Sequence, residues 1–155
     1  MAGNILWQSG SPISFAPQLS GQGEQLTNGS RVFCSGDIYN NGVSGGLCLF
    51  GTATLITSAN GFGANVTANS TIDLYMVPAP DGTNPATAAT SGLPPGAFRG
   101  SFVTPVSGNV SRLAMTIEGI PLTPVRYRTW LQNNTGQTLT SGWSLFFDGY
   151  QESYT

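Results

Sequence analysis

The chain has no histidine and no lysine among its 155 residues. The first absence removes the commonest general base and metal-ligating side chain. The second leaves Arg31, Arg99, Arg112, Arg126 and Arg128 as the only basic side chains, against Glu24, Asp37, Asp73, Asp81, Glu118, Asp148 and Glu152, for a net charge of -2. Charged residues make up 8% of the chain, where an ordinary soluble domain has about a quarter. A nucleic-acid binder needs clustered cations to displace counterions from phosphate, so no direct nucleic-acid partner is expected. Charged groups are the expensive ones to dehydrate, so a surface this neutral is cheap to bury against a partner. It is equally compatible with a monomer kept in solution by Ser, Thr, Asn and Gln.

Other absences narrow the field further. Met1 is followed at once by Ala2, Gly3 and Asn4, with no basic n-region and no long apolar run. The expectation is therefore cytoplasmic synthesis, with neither a signal peptide nor a membrane span. Without histidine or a second cysteine pair, no metal or other cofactor is expected. The two cysteines, Cys34 and Cys48, flank the turn-rich run YNNGVSGG from Tyr39 to Gly46. A hairpin about Asn41 would set them across a ladder from each other and make a disulfide geometrically possible. Synthesis in a reducing compartment favours two buried thiols instead.

Catalytic patterns are equally scarce. No Ser or Cys sits in a nucleophile elbow, and the glycines at Gly42, Gly45, Gly46, Gly61 and Gly63 lack the Lys and Ser/Thr that open a phosphate-binding helix. Asp73 and Glu118 fall on strand-like runs and are the candidates for a paired-carboxylate site. Their simpler reading is as solvent-facing positions of half-exposed strands. No catalytic residue is assigned, and the chain is not expected to be an enzyme.

What is present is β-pattern. Thr71 to Val77 alternates Ile72, Leu74 and Met76 with Asp73, Tyr75 and Val77, the signature of a strand with one face buried. Further strand-like runs lie at Arg31–Ile38, Leu47–Thr57, Ser101–Pro105 and Arg112–Glu118. From Val125 to Tyr150 the chain reads strand, turn, strand. Tyr127, Thr129 and Leu131 alternate with Arg126, Arg128 and Trp130, then come the turn formers Asn133 to Gly136, then Trp143, Leu145 and Phe147. Trp130, Trp143 and Phe147 read as core, leaving Arg126 and Arg128 on a surface with little other positive charge.

No helical period of useful length occurs. The spacing predicts a single all-β domain, a sandwich or jelly roll of about eight antiparallel strands over residues 20–155. It is preceded by an irregular, apolar arm over residues 1–19 and interrupted by a long proline-rich excursion from Pro78 to Gly100. Tyr150 and Tyr154 lie in the polar ending DGYQESYT, read as a tail beyond the last strand.

The phrases TIDLYMVPAPDGTNP, LPPGAFRGSFVTPV and IEGIPLTPVRYRTWLQNNTGQTLTSG, spread over the C-terminal half, resemble a pattern in capsid decoration, or cement, proteins of tailed bacteriophages. The turn Asp81 to Asn84, the run Gly100 to Phe102, the run Gly119 to Leu122 and the turn Asn133 to Gly136 come in the same order. Residues 1–60 contribute little to the likeness.

The resemblance implies a jelly-roll fold and a mechanical role on the virion, outside the shell, with the major capsid protein and further copies of itself, as dimer or trimer, for partners. It implies no catalytic residues. The contact regions expected are Ile5, Leu6 and Trp7 in the arm, Phe98 and Arg99 after the excursion, Arg126 and Arg128, and Tyr150 and Tyr154. The competing expectation is a carbohydrate-binding sandwich of a tail fibre or receptor-binding accessory protein, using exposed aromatics such as Trp7 or Tyr150.

Overall fold

A computed structural model of the chain describes residues 5–9, 13–18, 25–39, 48–81, 92, 94, 96–105, 107–108 and 111–154. Of these, residues 5–9, 13–18, 35–37, 39 and 151–154 are described by backbone only. Among the described residues nine strands run in order: Ile5–Ser9 (β1), Ile13–Gln18 (β2), Arg31–Tyr39 (β3), Phe50–Ile56 (β4), Thr71–Ala79 (β5), Phe98–Val103 (β6), Ala114–Pro121 (β7), Arg126–Asn134 (β8) and Ser144–Tyr154 (β9). No helix occurs among the described residues.

A four-stranded antiparallel sheet has the order β6-β5-β8-β3, and a three-stranded one the order β7-β4-β9. β2 links them: Ile13 to Phe15 pair with β9, and Ala16 to Gln18 pair with β3. Pro17 lies at the edge of the four-stranded sheet, a position where a missing N–H is tolerated. β1 continues along the same side of β9, from Ile5 opposite Tyr154 to Ser9 opposite Tyr150. The two antiparallel sheets together form a β-sandwich.

The inner faces follow from the alternation. Ile72, Leu74 and Met76 of β5, Leu131 of β8, Val32 and Cys34 of β3 and Phe102 of β6 face Ala53 and Leu55 of β4, Met115 of β7, and Leu145 and Phe147 of β9. Burying each large side chain contributes about 1.5–3 kcal/mol. Phe147 shapes its neighbour: a Cβ on Gly51 would lie 2.0 Å from the ring's Cζ atom, so β4 has glycine where the ring crosses it.

Several sequence expectations are corrected by the pairing. The stretch from Val125 to Tyr150 is two strands but not a hairpin, because β8 pairs with β3 and β5 while β9 pairs with β4, β1 and β2. The connection over residues 135–143 crosses between the sheets and is tied at both sides. Leu139 bridges to Leu26 and to Phe62, and Trp143 is 2% exposed in the core. Gly136 does take the positive φ of +80° that the turn requires.

Asn133 directs that crossing. Its Nδ2 donates to the carbonyls of Leu26 (2.8 Å) and Gln137 (2.7 Å), and its Oδ1 accepts from the N–H of Thr135 (3.0 Å) and from Thr135 Oγ1 (2.7 Å). The side chain is fully buried and uses all four of its hydrogen-bonding positions.

β3 and β4 also fail to pair with each other, so Cys34 and Cys48 do not face across a ladder. Both are free thiols, Cys34 buried and Cys48 half-buried. The turn expected at residues 40–47 lies outside the described residues. The arm is not irregular where it is described: β1 and β2 are strands, held by the chain's own β9 and β3. Tyr150 and Tyr154 are not in a tail either, since β9 runs on to Tyr154 against β1. Trp130 is half-buried on an outer face rather than in the core, whereas Trp143 and Phe147 are core residues as expected.

Candidate binding face

The outward positions of β3, β5, β6 and β8 meet in register. Phe98 on β6 is opposite Tyr75 on β5, Tyr75 is opposite Trp130 on β8, and Trp130 is opposite Phe33 on β3. One aromatic row therefore crosses all four strands. Phe33 and Trp130 lie 5.3 Å apart between ring centroids and tilt by 55°, and Tyr75 and Phe98 lie 5.7 Å apart at 66°. The Tyr75–Phe98 pair is edge-on, an arrangement that contributes about 0.5–1.5 kcal/mol beyond the area it buries. Phe98 remains 51% exposed.

A polar row runs beside it, one outward position along each strand. Arg31 Nε donates to Gln132 Oε1 at 2.6 Å, and Gln132 Nε2 donates to Asn134 Oδ1 at 3.0 Å. Asn134 Nδ2 donates to Asp73 Oδ2 at 2.8 Å, and Ser101 Oγ donates to Asp73 Oδ1 at 2.7 Å. The chain of hydrogen bonds spans from β3 to β6, and both carboxylate oxygens of Asp73 accept a neutral donor.

The arginines join the rows. The Arg31 guanidinium carbon stands 5.7 Å from the Tyr75 ring centroid, and that of Arg128 stands 5.8 Å from the Phe33 ring centroid. Such contacts contribute about 0.5–1 kcal/mol each when exposed. They also cover one face of Tyr75 and one of Phe33.

The open part of the face has a limit. Val77 and Ala79 continue the outward row of Tyr75, opposite Arg128 and Arg126 in register, yet are 0% and 1% exposed. Neither belongs to the main core cluster. The uncovered region therefore extends from Thr71 to Tyr75 and across to Arg31 and Phe33.

The expected contact residues are only partly gathered here. Phe98, Arg126 and Arg128 belong to this sheet's outer side, Arg126 and Arg128 half-buried rather than projecting. Arg99 sits at a bulge of β6 opposite Leu74 and Tyr75, its Nη1 donating to the Gly96 and Phe98 carbonyls. Tyr150 is on the other sheet, stacked on Phe50 at 5.9 Å and 27°, near Leu49, which is 57% exposed. Ile5, Leu6, Trp7 and Tyr154 lie on the β1–β9 ladder, and their side chains are outside the described residues.

Phe33, Tyr75, Trp130, Arg31, Gln132 and Asp73 were not singled out as contact residues from sequence. The alternation in β5 marked Asp73 and Tyr75 as outward, Trp130 was read as core, and only the pairing aligns the six.

Asp73 and Glu118 belong to opposite sheets and form no acid pair. No group of three or more metal-ligating side chains occurs among the described residues. Burial pushes the Cys34 thiol up to about 12, partly offset by a hydrogen bond from Thr129, so it stays protonated and inert. Cys48 is also shifted upward, first by burial and then by the carboxylate of Asp148.

No family model and no curated protein matches the chain. Among solved structures it is similar to the carbohydrate-binding module CBM36 in complex with calcium and xylotriose. The identity is 14%, over 99% of this chain and 100% of that one, with a TM-score of 0.39. A likeness that loose says nothing of what this chain binds.

Proposed function

We propose that the chain is a non-catalytic structural protein of a tailed-phage virion, attached to the outside of the capsid through non-covalent contacts with the major capsid protein. The observation that supports this best is the outer face of the four-stranded sheet. It combines Trp130, Tyr75, Phe98 and Phe33 with Arg31 and Arg128, the residue types that dominate protein–protein contacts. Its polar groups are already joined to one another, so covering them leaves few donors or acceptors stranded. Many such contacts, repeated over a closed shell and in copies assembled as dimers or trimers, add up by multivalency.

The test is co-sedimentation of the purified protein with shells that lack it. Wild-type protein should pellet with the shells, and Trp130→Ala should weaken binding by about tenfold or more, the loss typical of a central aromatic anchor. A wild-type protein that stays in the supernatant sinks the reading.

The aromatic row favours one other reading, a glycan-binding face on a fibre or accessory protein. Sugar stacking needs open, parallel ring faces. Here neighbouring rings are tilted by 55° and 66°, and guanidinium groups stand over Tyr75 and Phe33. Saturable binding on a glycan array, lost in Trp130→Ala, would carry this reading over the first.

A further inference from the structure

The charges of the chain are sorted between the two sheets. Arg31 on β3, Arg99 on β6 and Arg126 and Arg128 on β8 place four of the five arginines on the four-stranded sheet. The only carboxylates on those strands are Asp37 and Asp73, which leaves an excess of two positive charges. The strands of the three-stranded sheet, with β1 and β2, carry Glu118, Asp148 and Glu152 and no cation. Counted by strand, a chain with a net charge of -2 thus has its positive excess on the four-stranded sheet and its negative excess on the other, with Arg112 beside the latter at Ile56, Ser144 and Phe146.

From this sorting we infer that the four-stranded sheet is the docking face and that its occupant is an acidic protein surface, with the three-stranded sheet turned outward to solvent. The inference rests on the reading of the chain as a shell-binding protein and adds its orientation and the charge of its partner. Arg31 is held by Gln132 and stands over the Tyr75 ring, and Arg128 stands over the Phe33 ring, so both guanidinium groups are positioned on this face before a carboxylate arrives. Little side-chain entropy remains to be lost on docking. Long-range attraction between unlike faces orients the approach, and repulsion from the carboxylate-bearing sheet disfavours the inverted pose.

A nucleic acid is the rival occupant of an arginine and aromatic face. An excess of only two positive charges releases few counterions, which argues against it.

The experiment compares shell binding by wild type, by the pair Arg31→Gln with Arg128→Gln, and by the pair Glu118→Gln with Asp148→Asn. Binding is measured by co-sedimentation from about 50 mM to about 500 mM salt, a range over which the screening length falls from about 14 Å to about 4 Å. Thermal unfolding of each variant checks that it is folded. The arginine pair should bind roughly tenfold or more weakly at low salt, the deficit shrinking as salt rises, while the carboxylate pair stays within about twofold of wild type.

Loss in the carboxylate pair with none in the arginine pair overturns the orientation, as does salt-independent wild-type binding. Tight binding of single-stranded oligothymidylate, or salt-sensitive head-to-tail self-association in the absence of shells, gives the face to another occupant and overturns the inference. If wild type itself does not bind shells, it is the shell-binding function that fails.

Discussion

Replacing Asn133 by alanine tests whether this residue, rather than a hairpin turn, sends the chain from one sheet to the other. The substitution leaves the Thr135 N–H without an acceptor, and a buried orphan of this kind costs about 1–3 kcal/mol. It also strips one donor each from the carbonyls of Leu26 and Gln137, which keep a second donor in the Leu139 N–H and Thr135 Oγ1 respectively. Each of those losses is a net hydrogen bond of about 0.5–1.5 kcal/mol. The total is about 4 kcal/mol, which for a domain of this size lowers the melting temperature by roughly 8–16 °C.

Asn133→Asp separates the two halves of the side chain's role. The carboxylate still accepts from Thr135, but it now points an oxygen at two carbonyls in a dry site. Desolvation and those carbonyl dipoles raise its folded-state pKa above the unfolded value of about 3.9. The folded form then binds the proton more tightly, so the variant's deficit relative to wild type is small below the unfolded pKa and grows as pH rises toward the folded one. Urea unfolding followed by tryptophan fluorescence at about pH 4, 6 and 8 reads both effects. An Asn133→Ala protein within about 1 kcal/mol of wild type, or an Asn133→Asp deficit that does not change with pH, refutes the role assigned to this side chain.

Gly51→Ala places a methyl group inside the Phe147 ring and should destabilise by about 1–3 kcal/mol or more, with Phe147→Leu restoring part of the loss in the double variant; additive effects would deny the contact. Native protein treated with iodoacetamide at about pH 8 should be alkylated at Cys48 well before Cys34, whose thiol is raised to about 12 by burial; equal rates by peptide mass mapping would contradict the buried position of β3. Trp143→Ala should cost about 3–5 kcal/mol in urea unfolding, as a core deletion, while Trp130→Ala costs clearly less because its ring is half-buried on the outer face; equal costs would return Trp130 to the core.

The strands themselves were legible in the sequence because their period of two is a local property. Ile72, Leu74 and Met76 declare the inner face of β5 within seven residues, and Tyr127, Thr129 and Leu131 do so for β8. The scarcity of charge and the absence of histidine were likewise complete in the sequence. Pairing is a different kind of information. The alternation of β8 and β9 is the same whether they lie side by side or in opposite sheets, and the turn formers Asn133 to Gly136 suit either connection. What separates the two outcomes is distant in the chain, in Leu26, Phe62 and Leu139.

The same holds for the candidate face. Phe33, Tyr75, Phe98 and Trp130 are scattered over nearly a hundred positions, and each alone is one outward aromatic on a strand. Only the registers of β3, β8, β5 and β6 align them, and only the division into two sheets gathers four arginines on one side and three carboxylates on the other. Composition and local period thus determined an all-β chain of low charge. Long-range burial, acting on which strand lies beside which, decided where its few charges and aromatics meet.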